Sequence, residues 1–202
     1  MIKTIVFDFG DVFLNLDKQA TKVALEKYGI SEFSAEMKQK NEAYEMGLIP
    51  TKDFIGYYTE KFPQLSEEDF IAAWNSILLD FPKHKLSFLQ QLANENIFQL
   101  ILLSNTNELH IQWVEEHIPF FSEFKACFDA VYLSHEIEMR KPNKDIYEFV
   151  LRNHDRKPEE VLFIDDTTEN TDAAAKLGIQ VWNIKPRMED VVDLFAIHKV
   201  LV

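Results

Sequence analysis

Four short apolar runs constrain the fold most: KTIVFD at 3–8, FQLILLS at 98–104, AVYLS at 130–134 and EVLFID at 160–165. They are rich in Ile, Val, Leu and Phe, lack in/out alternation and end on a polar residue, as strands do in a parallel sheet covered on both faces. A weaker run, GIQVWNI at 178–184, is a candidate fifth. Helical patterns lie between them, NKDIYEFVLR at 143–152 and TENTDAAAKLG at 168–178, the second stopping at Gly178. Strands alternating with helices predict an α/β fold with a doubly wound, mainly parallel sheet.

The alternation fails from about Asp17 to Asp80, where helical patterns follow one another without a convincing strand. SEEDFIAAWNSIL at 66–78 has Ser66 and Asp69 at capping-box spacing and Phe70, Ile71, Trp74, Ile77 and Leu78 at helical intervals. TKDFIGYYTEKF at 51–62 begins similarly at Thr51, after Pro50. The expected organisation is an α/β core of residues 1–16 and 81–202, with a helical cap of residues 17–80 inserted after the first strand and a return near Phe81-Pro82. Such an insert lies above the carboxyl ends of the strands, where α/β sheets bind ligands. Tyr44, Tyr57 and Tyr58 are its candidate substrate contacts, and the other aromatic residues are expected in cores.

The 34 acidic and 21 basic residues give a formal net charge of −13, a field that repels polyanions, and no basic patch offsets it. No nucleic-acid partner is expected. No apolar stretch has membrane-spanning length and MIKTIVFDFG lacks the features of a signal peptide, so the expectation is no membrane partner and a cytoplasmic location. Cys127 has no second cysteine to pair with and reads as a small core hydrophobe. Of the six His, only His110 and His117 fall two turns apart on one presumed helix, and capping or solvated roles fit them better than zinc.

The chemistry is gathered at the strand ends: Asp8, Ser104 with Asn105, Arg140-Lys141-Pro142 after the third strand, and Asp165 with Asp166. Each alone also reads as a turn or helix cap. Together, in an α/β chain, they converge on one sheet edge. Two carboxylates about 4 Å apart repel by roughly 4 kcal/mol at an effective dielectric of about 20, so Asp8, Asp165 and Asp166 require a cation if they meet. An all-oxygen donor set without Cys or paired His favours Mg²⁺, which joins carboxylates to a phosphate. Lys141, a hydroxyl and backbone amides at a helix N-terminus would complete a phosphate cradle.

In these residues the chain resembles the haloacid dehalogenase superfamily of phosphatases. DFGDV at 8–12 is similar to its nucleophile motif, LLSNTN at 102–107 to its second motif, MRKP at 139–142 to its lysine motif and FIDDTTEN at 163–170 to its acidic metal motif. YEMGLIPTKDFI at 44–55 and YLSHEIEMRKPNKDIYEFVL at 132–151 further resemble the subgroup of bacterial sugar-phosphate phosphatases that includes α-D-glucose-1-phosphate phosphatase. The resemblance implies a Rossmann-like core with a small cap and a small phosphorylated metabolite as substrate. It implies Asp8 as nucleophile, forming an aspartyl-phosphate that water hydrolyses. Ser104, Asn105 and Lys141 would hold the phosphoryl oxygens, with Lys141 keeping Asp8 ionised. Asp8, Asp166, the Gly10 carbonyl and Asp165, directly or through water, would hold Mg²⁺.

One position departs from the superfamily pattern, which has a second aspartate two residues after the nucleophile as general acid and base. Gly10 stands there. Asp11 either reaches the leaving oxygen or serves as a turn residue. A phosphatase of small phosphorylated metabolites, with a sugar phosphate as the expected substrate, is therefore weighed against a non-catalytic phospholigand-binding protein. A metal-free 2-haloacid dehalogenase fits less well, because Asp165-Asp166 would repel a carboxylate substrate.

Overall fold

The computed structural model describes residues 1–198. Strands β1 (Thr4–Phe7), β2 (Gln99–Ser104), β3 (Ala130–Leu133), β4 (Val161–Asp165) and β5 (Gln180–Asn183) form one parallel sheet in the order β3-β2-β1-β4-β5. Along the chain the helices are α1 (Ala20–Glu26), α2 (Ala35–Glu45), α3 (Thr51–Lys61), α4 (Glu67–Asn75), α5 (Lys83–Glu95) and α6 (Glu108–His117). They continue with α7 (Phe121–Lys125), α8 (Ser134–Ile137), α9 (Lys144–Asn153), α10 (Thr168–Ala175) and α11 (Leu194–Ile197).

The missing alternation in the strands has a direct cause. Ile5, Phe7, Leu100, Leu102, Leu162 and Ile164 point to one face, against Leu89 of α5, Val114 of α6 and Phe124 of α7. Val6, Ile101, Leu103, Val161 and Phe163 point to the other, against Ile146 and Val150 of α9 and Ala174 of α10. Both faces are dry, so apolar side chains occupy both phases of the two-residue period. Cys127 packs, partly buried, against the first of these layers.

Helices α1 to α4 follow β1 in sequence and close around their own apolar cluster, which includes Leu25, Met37, Phe54, Phe70 and Trp74. Tyr44 and Tyr58 belong to this cluster, stacked on Phe54 at 4.0 Å and on Phe70 at 4.6 Å, and are at most 2% exposed. Their position corrects the expectation of substrate contacts. Residues 54 and 58 share one face of α3 by the i, i+4 rule, so Tyr58 follows Phe54 inward. Tyr57, one position round, stays half-exposed with Lys61 donating to its hydroxyl at 3.1 Å. Ser66 caps α4 as expected, its Oγ accepting from Asp69 N at 3.1 Å. Thr51 does not cap α3. Pro50 holds that position, and Thr51 Oγ1 instead bonds Glu108 and the Tyr44 hydroxyl.

Two chain segments connect this helical unit to the sheet, and they pair with each other. Asn15 N donates to Asp80 O at 2.9 Å, Leu79 N to Asn15 O at 3.0 Å and Asp17 N to Ile77 O at 2.9 Å, forming a short antiparallel ribbon. The unit also docks on α6. Leu109 enters its cluster, Trp74 Nε1 donates to Asn107 Oδ1 at 3.3 Å and the His110 ring stacks on Trp74 at 5.6 Å. At Gly47, with φ +67°, a Cβ would lie 2.1 Å from the His135 carbonyl oxygen, so only glycine lets the end of α2 sit against α8. His117 stacks on Trp113 at 4.3 Å, away from His110's partners, and the two form no metal pair.

Burial pushes the His110 imidazole from 6.5 down to about 4, opposed in part by the Trp74 carbonyl at its Nε2. Between these values the unfolded chain binds a proton that the folded chain refuses. His110 therefore removes stability as pH falls from about 6.5 toward about 4, by up to about 3 kcal/mol. Urea unfolding at pH 7 and pH 4.5 should show a smaller acid loss in His110→Gln than in the wild type. Equal losses would overturn this assignment, because the carboxylates that titrate nearby are common to both proteins.

Candidate active site

Strand register brings the first two carboxylates together. Phe7 pairs with Ile164, and Asp8 N donates to Ile164 O at 2.9 Å, so Asp8 stands beside Asp165 at the carboxyl end of the sheet. Period-two alternation puts both on the face of Val6 and Phe163. On this face, over the Phe163 ring at 5.4 Å, lies the Lys141 ammonium. It donates to Asp8 Oδ1 at 2.7 Å, Asp165 Oδ2 at 2.7 Å and Leu103 O at 2.8 Å, and the residue is 1% exposed. All three protons of the ammonium are thereby placed. Burial depresses the Lys141 pKa, but Asp165 and Asp8 outweigh it and leave the group above its ordinary value, firmly charged.

The Lys141 backbone is held equally closely. Asn105 Oδ1 accepts from Lys141 N at 2.9 Å and Asn105 Nδ2 donates to Lys141 O at 2.8 Å, two bonds that join the end of β2 to the loop before α9. The Asn105 amide is thus committed to this loop. This pairing uses the side chain and leaves the Asn105 backbone N–H outside it. Ser104 is buried, and its hydroxyl makes only a 3.5 Å contact with Asn105 O, which leaves it able to turn toward another acceptor.

Asp165 and Asp166 are adjacent in sequence and differ in environment. Both Asp165 oxygens are engaged, Oδ1 by Thr167 N at 2.7 Å and Asn170 Nδ2 at 3.1 Å, Oδ2 by Lys141 and by Asn170 at 3.0 Å. Asp165 therefore faces Lys141 and Asn170 more than open space. Asp166 faces the cavity, with Lys18 Nζ bound to Oδ2; burial raises its pKa and Lys18 opposes the rise. Asp11 is a turn residue at φ 55°. Its Oδ1 accepts from Leu16 N at 3.0 Å and its Oδ2 pairs with Lys18 at 3.2 Å, so the carboxylate does not replace a side chain at Gly10. Lys18 and Asn170 were not legible as site residues, although Asn170 closes the FIDDTTEN stretch.

Gly10 lines the cavity with Asp8, and the space beside it is filled. A Cβ there would meet Leu16 Cδ1 at 2.7 Å, because Leu16 covers the glycine from the connecting ribbon. The cavity above Asp8 has a volume of about 330 Å³, the size of a small metabolite, and is also lined by Glu42 and Glu45 of α2 and by Arg140. Arg140 Nη2 donates to Glu45 Oε2 at 3.1 Å. Burial raises the Glu45 pKa, and Arg140 counters it.

Asp8, Asp165 and Asp166 each present an oxygen within 4.8 Å of the others. Burial, opposed by Lys141 and reinforced by Asp165 and Asp166, pushes the Asp8 carboxyl up to about 7. One lysine does not neutralise this group. The all-oxygen donor set and the residual negative charge fit a hard divalent cation, with Asp8 and Asp166 the carboxylates best placed to hold it.

The chain matches the family described as haloacid dehalogenase-like hydrolase over residues 5–184. It is 28% identical over 193 residues to the D-ribitol-5-phosphate phosphatase of Bacteroides thetaiotaomicron, covering 90% of this chain and 91% of that protein. A HAD family enzyme of the same organism, solved as a magnesium complex, superposes with a TM-score of 0.84 and 34% identity over 96% of this chain and 98% of that one. A HAD-like family hydrolase from Porphyromonas gingivalis gives a TM-score of 0.83 and 26% identity over 100% of this chain and 98% of that one.

Removing the buried ammonium leaves Asp8 and Asp165 facing each other. Lys141→Met should lower stability in chelator by about 3 kcal/mol or more at pH 8, with a smaller loss at pH 5, where Asp8 can protonate. Chemical denaturation at the two pH values checks this, and a loss independent of pH would count against the pairing as its cause.

Proposed function

This chain belongs to the haloacid dehalogenase-like hydrolase family, and from that premise we propose that it is a Mg²⁺-dependent phosphatase of a small phosphorylated metabolite, a sugar or polyol phosphate. The observation that carries the reading is the buried Asp8–Lys141 pair at 2.7 Å, with Asp166 beside it on one metabolite-sized cavity. The relative that acts on D-ribitol-5-phosphate supports it. So does the HAD family enzyme solved with magnesium and inorganic phosphate, at 32% identity and a TM-score of 0.80 over 96% of this chain and 100% of that one.

In this reading Asp8 is the nucleophile. Lys141 holds Oδ1, leaving the other carboxylate oxygen to attack phosphorus as the bond to the leaving oxygen breaks. Water then attacks the aspartyl-phosphate and releases phosphate and Asp8. The Ser104 hydroxyl and the Asn105 backbone N–H donate to the phosphoryl oxygens, with Lys141 supplying charge. Asp165 and Asn170 are positioning residues that act through Lys141. Asp8, Asp166 and the Gly10 carbonyl would hold Mg²⁺, which would supply charge neutralisation for the phosphoryl group.

Phosphate release from a panel of phosphomonoesters should require Mg²⁺, stop with chelator and fall about a thousandfold or more in Asp8→Asn. Binding of the same esters without turnover would instead favour a phospholigand-binding protein, and metal-free chloride release from a 2-haloacid a dehalogenase.

With Gly10 in place of an acid, the leaving oxygen draws its proton from water. General acid help is worth about a hundred- to ten-thousandfold, most of it for poor leaving groups. Gly10→Asp combined with Leu16→Ala, which clears the space, should raise turnover of alkyl phosphates more than of aryl phosphates. An equal response of the two ester classes would sink this account.

A further inference from the structure

Every cationic side chain lining the cavity is already bound to two carboxylates. Lys141 holds Asp8 and Asp165, Lys18 holds Asp166 and Asp11, and Arg140 holds Glu45 at 3.1 Å and Glu42 at 3.6 Å. Lys141, and Mg²⁺ in the reading above, answer the charge of the phosphoryl group at the sheet end. The wall formed by α2 and Arg140 meets the rest of the substrate, and among the described residues that line it the one cation, Arg140, is held by both glutamates.

That wall is negative for two further reasons. Glu42 and Glu45 stand three residues apart on the last turn of α2, so both side chains leave the helix on the same side, and no basic residue stands in that turn. The carboxyl end of a helix also carries the negative end of its dipole, which repels anions near it. Carboxylates accept hydrogen bonds from hydroxyl groups, and the guanidinium protons not used by Glu45 can donate to them. The wall is therefore equipped for a neutral, hydroxyl-bearing group.

We propose that the Glu42–Glu45–Arg140 cluster makes this site selective for phosphomonoesters whose organic part is uncharged and polyhydroxylated, and that Glu45 excludes substrates with a second phosphate or a carboxylate by occupying Arg140. The inference rests on the phosphatase reading and narrows it. Glu45 and Arg140 are specificity residues here, acting on the leaving group and not on phosphorus. A like-charge contact at such a wall disfavours an anionic leaving group by about tenfold or more, even where water screens much of it.

The test is the ratio of kcat/KM for a phosphomonoester with an uncharged organic part (the neutral member) to that for one of similar size whose organic part carries a further anion (the anionic member), measured on one protein preparation. Glycerol phosphate against phosphoglycerate, and a hexose monophosphate against the bisphosphate, provide the pairs. The wild type should favour the neutral member about tenfold or more, and Glu45→Gln, which frees Arg140, should lower the ratio about tenfold by gaining activity on the anionic member. Arg140→Gln should raise the ratio. Partial unfolding of a variant cancels in the ratio, so it cannot imitate the result. Equal use of both members by the wild type, or a Glu45→Gln ratio unchanged from wild type, overturns the proposal while leaving the phosphatase reading intact. Absence of turnover on every ester with Mg²⁺ overturns that reading and this one together.

Discussion

The buried Lys141 ammonium is the interaction on which the site depends. A charge removed from water must be paired and hydrogen-bonded or it destabilises the fold, and this one is satisfied by β1 through Asp8, by β2 through Leu103 and by β4 through Asp165. The three central strands are thus joined at their carboxyl ends by one side chain. Its own placement comes from Asn105, which holds its backbone, and its second carboxylate is held by Asn170. The ion pairing of Asp8 and the cohesion of the sheet edge arise from the same contacts.

The fold was legible because burial on both faces leaves an unmistakable composition: β1, β2 and β4 lie within the apolar runs that announce them. The convergence of Asp8, Lys141 and Asp165 was legible too, since strand ends in an α/β sheet meet at one edge. Individual roles were not. Asn105 reads as a site residue, but nothing in the sequence shows that its side-chain amide pairs with the backbone of a residue 36 positions away. Tyr44 and Tyr58 read as ligand contacts because helical phase says which residues share a face, not which face looks inward. Lys18 carries no local signal, and its place beside Asp166 follows from the path of the chain out of β1.

Gly10 also acquires a different meaning. The space a longer residue would fill is taken by Leu16, which belongs to the ribbon leading into α1 to α4. The missing acid and the neighbouring leucine are one packing arrangement, with an apolar side chain standing where a proton donor stands in the superfamily pattern. Behind it lies a smaller apolar recess of about 130 Å³ lined by Phe9, Leu14 and Ile77, so the polar cavity has a hydrophobic flank on that side.

The antiparallel ribbon of residues 15–17 and 77–80 has a consequence of its own. Because the chain leaves the sheet and returns to it at adjacent, hydrogen-bonded positions, the α/β layers experience the four intervening helices as an extended hairpin loop. Closing a loop of some sixty residues instead of four costs only about 2 kcal/mol more. The sheet can therefore tolerate wide variation in what the ribbon carries, and selectivity toward the organic part of a ligand can be exchanged without re-registering a strand or moving Lys141.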